Sequence, residues 1–135
     1  MTIAKLSLVL VCLVSVALGA QKALEPKVAK VTPIMSKELP DVVGKEGLML
    51  TVEYPPGASD PIHRHNADAF VYVLKGSIVM QVRGGKKVKL RPGQTFYEGP
   101  SDVHIIGRNA SQTEPAKFLV FLVKGKGAPV LIPAK

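Results

Sequence analysis

The side chains in this sequence best suited to chemistry are its three histidines, His63, His65 and His104. His63 and His65 are two residues apart, so on an extended strand both imidazoles leave the same face. An isolated H-x-H pair is ordinarily a solvated pair at a strand start. Here it follows a Pro-Gly turn and directly precedes an apolar, β-branched run, Phe70 to Leu74. His104 lies among Val103, Ile105 and Ile106, where an unpaired imidazole would be costly to bury. Three imidazoles converging from adjacent strands would form a metal site, because neutral imidazole nitrogen suits Zn, Cu, Fe and Ni.

The elements that must position these side chains read as strands and turns. The chain has 135 residues, is 47% hydrophobic and only 5% aromatic, and carries 12 glycines and 11 prolines. That length supports one domain with a modest core, and scattered prolines argue against a helical bundle. Strands are predicted at Leu48–Tyr54, Phe70–Leu74, Ile78–Val82, Val88–Leu90, Thr95–Tyr97, Val103–Ile106 and Lys117–Val123, with a tight hairpin at Gly84-Gly85. Short strands with turns at roughly ten-residue intervals indicate an all-β sandwich or barrel.

At the histidines the sequence resembles the cupins. Gly57 followed by His63-Arg64-His65, and then Phe70 to Gly76, is similar to the first cupin motif. Arg91-Pro92-Gly93 through Tyr97, then Gly99-Pro100 to His104 with Asn109 beyond, resembles the second. The resemblance spans about residues 44–125. It implies an all-β, single cupin jelly-roll barrel with a divalent transition metal (Zn, Fe, Cu, Ni or Mn) in its mouth. His63, His65 and His104 match the family's ligand positions, with His104 expected to face the other two across the barrel. A homodimer is also implied.

The sequence departs from the family pattern where a glutamate ligand belongs. That position falls at Ala69 or Phe70, and neither can bind metal. The site is therefore expected to be more open and more cationic, and a glutamate restored at Ala69 is expected to tighten it. Asp68 is one residue early, which normally reverses the side-chain face. Glu98, near the second motif and six residues before His104, is another conceivable carboxylate; as a residue at a strand end it more ordinarily reads as surface, at most a partner to the ligands, and whether it or Asp68 replaces the missing glutamate stays open. Tyr72 and Tyr97 are candidates for lining a pocket, although strand tyrosines more often serve packing.

The first nineteen residues read as a secretory signal peptide: Lys5, an apolar run from Leu6 to Leu18, and small residues Ala17 and Gly19 before a cut at Ala20. The run covers about 20 Å, short of the roughly 30 Å a stable membrane anchor requires. Residues 20–43 then form an N-terminal arm or edge strand, 44–125 the barrel and 126–135 a C-terminal tail. The expected product is exported, periplasmic or extracellular. Cys12 is the only cysteine, so no disulfide framework exists.

The formal charge is +8. Lys87, Lys89 and Arg91 alternate, which fits a solvated edge that discourages pairing with other chains. The stripe lacks interleaved aromatics and the chain is expected to be exported, so nucleic-acid binding is a poor fit and no nucleic-acid partner is expected. Asn109-Ala110-Ser111 is a glycosylation sequon by pattern. No serine or cysteine nucleophile motif, phosphate loop or dinucleotide fingerprint is present. Two classes lead: a metal-dependent enzyme, oxygenase- or isomerase-like, on a small oxygen-bearing substrate, and a non-catalytic barrel binding a small ligand or the metal itself. An empty structural barrel is third.

Overall fold

The computed structural model describes residues 27–135; the signal-peptide segment and Cys12 lie outside them. Ten strands follow one another: β1 (Lys30–Glu38), β2 (Lys45–Tyr54), β3 (His63–Arg64), β4 (Ala67–Lys75), β5 (Ile78–Val82), β6 (Val88–Leu90), β7 (Thr95–Glu98), β8 (His104–Asn109), β9 (Ala116–Gly125) and β10 (Ile132–Pro133). They form two five-stranded antiparallel sheets, ordered β1-β2-β9-β4-β7 and β10-β3-β8-β5-β6. The described chain is all-β, a jelly roll with its core between the two sheets.

Period-2 alternation decides which side chains enter that core. Leu48, Leu50, Val52 and Tyr54 of β2 point inward, as do Ala67, Ala69, Val71 and Val73 of β4. Phe118, Val120 and Leu122 of β9 complete the inner face of the first sheet. The second sheet contributes Ile78 and Met80 of β5. The strands run longer than the apolar pattern predicts: β4 extends to Ala67 and β9 to Gly125, because backbone pairing continues past the last large apolar residue. At the β4–β5 turn Gly76 has φ +71, and a Cβ there would lie 2.5 Å from the Pro115 carbonyl oxygen. Only glycine fits that combination.

The arm is an edge strand, with β1 pairing along β2 across a bulge at Pro33/Met35. At the far edge of the other sheet, β6 and its flanks present Lys87, Lys89 and Arg91 to solvent. The segment read as a tail returns to the barrel, where Ile132 and Pro133 pair with Arg64 and His63.

Candidate metal centre

His63 and His104 are direct cross-strand partners on β3 and β8. His63 and His104 therefore belong to one sheet, with His65 just past the end of β3, and His104 sits beside the H-x-H pair instead of facing it across the barrel. Direct pairing of non-consecutive strands is the physical reason, since it brings opposed side chains within about 5 Å at Cβ. His104 reaches the interior through a bulge. Gly107 and Asn109 face inward on β8, and strict alternation would place Ile105 inward and His104 outward. The register between β5 and β8 slips between Gln81 and Val82, leaving Ile105 as the extra residue, so His104 turns in and is buried. Asn66, the one non-glycine residue with positive φ among those described, turns the chain between His65 and β4.

Hydrogen bonds determine which nitrogen each ring offers. His63 Nδ1 donates to the Pro61 carbonyl at 2.8 Å, and His65 Nδ1 donates to the Val130 carbonyl at 2.6 Å. A carbonyl only accepts, so in the neutral rings both Nε2 atoms present lone pairs. These two atoms lie 3.2 Å apart. His104 Nε2 donates to the Ile106 carbonyl at 2.5 Å, leaving Nδ1 as its acceptor. The ligand atoms of the three histidines all lie within 4.8 Å of one another.

A carboxylate completes the group, and it is Glu98, buried and not at the surface where a strand-end residue ordinarily lies. Its Oε1 is 3.3 Å from His104 Nδ1 and its Oε2 3.8 Å from His65 Nε2. Strand β7 extends one residue past the predicted end, and Phe96 and Glu98 share its inward face. The usable signal was this shared parity with Phe96. Asp68, by contrast, projects from the outer face of β4 and accepts a hydrogen bond from Tyr97. Tyr72 and Tyr97 are also on the outer face, 44% and 49% exposed, so neither lines the interior.

The donor set fits a cation. His104 Nδ1 and Glu98 Oε2 are buried without any hydrogen-bond partner, an expense that a bound ion would remove. Two lone pairs facing each other at 3.2 Å are equally unsatisfied. Backbone carbonyls holding the remote ring nitrogens are the usual outer partners of metal-binding imidazoles. Burial, reinforced by the neighbouring His63, holds His104 down at about 4, and burial also lowers His65. Both rings are therefore neutral at pH 7, the form that ligates metal. Burial raises Glu98 to about 7, with Asp102 and Asp60 adding to the effect.

The four residues form part of the wall of a cavity of about 200 Å³, together with apolar residues such as Leu50, Val52, Met80, Phe118 and Leu122. Asp60 and Tyr54 also line it, and the Tyr54 hydroxyl donates to the Asp60 carboxylate. The asparagine of the sequon has a different task. Asn109 is 1% exposed; its amide nitrogen contacts the carbonyls of Tyr54, Pro55 and Glu114 at 3.2, 3.0 and 2.8 Å, and its oxygen accepts from the Ser111 backbone.

A family model for the cupin domain matches residues 50–122, and the chain belongs to the cupin family. Among solved structures it is similar to the DMSP lyase DddQ of Ruegeria pomeroyi DSS-3, at 22% identity and a TM-score of 0.57, covering 65% of this chain and 43% of that one. A cupin domain from Bordetella pertussis Tohama I gives 21% identity and a TM-score of 0.55, covering 72% and 94%. An oxalate oxidase in complex with the substrate analogue glycolate gives 22% and 0.59, covering 79% and 55%. This chain thus spans less than half the length of the lyase. At these identities the likeness shows the fold. No curated protein matches the chain in sequence.

Proposed function

We propose that this cupin binds one divalent transition metal through His63, His65 and His104, with Glu98 as a fourth donor, and presents it to a small oxygen-bearing molecule in the cavity. The observation that carries the reading is the convergence of three imidazole acceptors and one carboxyl group with no other side chain bonded between them, two of their atoms buried and unpartnered. A bound ion of this kind supplies Lewis acidity, polarising an oxygen or lowering the pKa of water. The chain's own residues hold the rings in one tautomer, exclude bulk water with an aliphatic wall and supply one carboxylate. With Glu98 in the set, the site is less cationic than three histidines alone would make it. Metal analysis and zinc titration of the purified protein test the reading. One ion per chain, lost in His104→Ala with the fold intact by circular dichroism, is the expected result; stoichiometric metal in that variant overturns it.

The proposal extends to export, which rests on Lys5, the Leu6–Leu18 run and the small residues Ala17 and Gly19. N-terminal sequencing of the mature protein tests it, with a start at Ala20 expected.

It also extends to self-association. Phe70, Tyr72 and Leu74 of β4 and Tyr97 of β7 expose an apolar outer face, with Phe121 of β9 beside them. Asp68 lies at one end of this face and Lys75 at the other, so a twofold pairing of two copies sets each acid against a base. Light scattering should give a dimer, and Phe70→Glu a monomer. A wild-type monomer at 100 μM (about that concentration suffices for a standard interface) would refute it.

A further inference from the structure

The cavity has a second polar feature that metal binding does not use. Tyr54, at the end of β2, is fully buried, and its hydroxyl donates to Asp60 Oδ2. The Asp60 backbone N–H donates to the Gly107 carbonyl at 2.8 Å, which anchors the residue against β8. With one oxygen held by Tyr54, Asp60 Oδ1 takes no donor among the described residues. Unlike Glu98 Oε2, it is not a sealed, orphaned atom. Asp60 lines the cavity, so this oxygen is an open acceptor on a side chain of its wall that Tyr54 holds in place.

The rest of the lining defines what such an acceptor could receive. Among the described residues around the cavity there is no lysine or arginine, and the two carboxyl groups there are Asp60 and Glu98. Beyond an ion at the histidines, a carboxylate or phosphate ligand would find no cationic side chain to pair with, and Asp60 and Glu98 together already match the charge of a divalent ion. Most of the remaining wall is aliphatic or aromatic, from Leu50, Val52, Val71, Phe118 and Val120. An apolar cavity of roughly 150 Å³ is large enough to hold benzene, so about 200 Å³ holds one small ring or a short branched chain.

We propose that the cavity takes a small, uncharged, largely apolar molecule bearing a hydroxyl group, and that Asp60, oriented by Tyr54, is the residue that receives that hydroxyl. The proposal rests on the reading of this cavity as the working site and adds to it the ligand class. A hydrogen bond to a charged acceptor is worth about tenfold or more in binding, while an anion set against Asp60 meets a like charge that no cationic side chain offsets.

The test uses the full chain, stripped of metal, at pH 8, with phenol, toluene and benzoate as probes and calorimetry or NMR shifts as readout. Phenol should bind about tenfold more tightly than toluene, and benzoate more weakly than phenol. Asp60→Asn keeps the shape and still accepts from Tyr54; it should reduce the phenol advantage to about threefold or less and improve benzoate. An unchanged phenol advantage in that variant, or benzoate equal to phenol in the wild type, overturns the proposal. A crystal soaked with phenol provides a measurement independent of any variant, with the hydroxyl expected within hydrogen-bond distance of Asp60; a hydroxyl lodged elsewhere is contrary. Zinc titration of the same proteins separates the two readings. Zinc without the phenol preference leaves only the metal reading standing, and the phenol preference without zinc leaves only this one.

Discussion

Ala69 on β4 and Glu98 on β7 are direct cross-strand partners, both side chains pointing into the barrel. Of the two positions at which the cupin pattern places its carboxylate, Ala69 faces inward and Phe70 outward, so an acid is absent from the inner face of β4 and present on the neighbouring strand. Opposed Cβ atoms in an antiparallel pair lie about 4.5–5.5 Å apart, close enough for a glutamate on either strand to reach the same histidines. On the proposed donor set Glu98 takes the place of the acid missing at Ala69, and a glutamate added at Ala69 is then expected to crowd the site instead of tightening it. Ala69 is completely buried, and a second acid would meet the first.

The exchange can be measured. Glu98→Ala should weaken zinc binding by roughly 100-fold, the upper end of what loss of an outer partner alone costs. Ala69→Glu in the otherwise native chain should destabilise the metal-free protein by about 3 kcal/mol, from like charge and overpacking. Combining the two changes should restore affinity to within about tenfold of the wild type. Isothermal titration and thermal melts of the four proteins decide it. No recovery in the double variant would mean that Glu98 acts through something other than its reach to the histidines.

A second prediction concerns pH. Glu98 is raised by burial from 4.5 to about 7, so the folded protein holds a proton that the unfolded chain has released between those values. Its contribution to stability is present at low pH and is lost as pH rises through about 7. His104 is depressed by burial from 6.5 to about 4, and its contribution is present above 6.5 and lost as pH falls through about 4. The buried His104 and His65 gain stability over part of the same range, so the Glu98 loss is read as a difference: from pH 6 to pH 8 the metal-free protein should lose more melting temperature, or gain less, than Glu98→Gln does. A bound cation holds Glu98 ionised and cancels that loss, so the stabilisation by zinc should grow from pH 6 to pH 8. Calorimetry in buffers of different ionisation enthalpy should show about one proton released per zinc at pH 6. A zinc effect on melting that is flat over this range would count against Glu98 as a donor.

The parts of this architecture that were legible in the sequence are those written in period-2 alternation and turn residues. Ile78–Val82 and Val88–Leu90 match the predicted strands, and the Gly84-Gly85 turn lies between them. The H-x-H pair also carries its own geometry, because two residues on one strand share a face whatever the strand pairs with. Three features had no local signature. His104 faces inward only because a bulge inserts Ile105, and a bulge is a property of two paired strands. Glu98 belongs to the site only because β7 lies beside β4, which sequence distance does not reveal. Val130, which fixes the tautomer of His65, is 65 residues away in a segment that reads as a tail.

The sequon makes a third prediction. Asn109 satisfies three backbone carbonyls and the Ser111 N–H from a position 1% exposed, so its amide is not available to a glycosyltransferase in the folded chain. Expression in a glycosylating secretory host should give a protein without glycan at Asn109, read by peptide mass. Asn109→Ala should cost about 3 kcal/mol or more, since each buried polar group left unsatisfied costs roughly 1–3 kcal/mol. Asn109→Asp should be the harsher change, because it sets a charged acceptor against three carbonyl oxygens. Chemical denaturation of both variants checks the order, and an aspartate milder than alanine would mean that the amide donors are not what holds the loop.

Gly107 ties the two halves of the cavity together, and a single methyl group there tests both. A Cβ at this position would lie 2.9 Å from His104 Cε1, 3.1 Å from its Nε2 and 3.1 Å from the Tyr54 hydroxyl. The first distance is below ordinary van der Waals contact, so one of those groups has to move. His104 is held by the Ile106 carbonyl and Tyr54 by Asp60, which means that relief for one breaks the hydrogen bond that orients it. Gly107→Ala should cost about 1–3 kcal/mol in stability. It should also weaken zinc binding by at least about tenfold, although it removes no ligand atom and changes no charge. Zinc titration alongside thermal melts separates the effects: a variant that folds stably yet binds zinc poorly shows that His104 must be held in position for the ion. Unaltered zinc affinity would show that the ring has room to move and still bind.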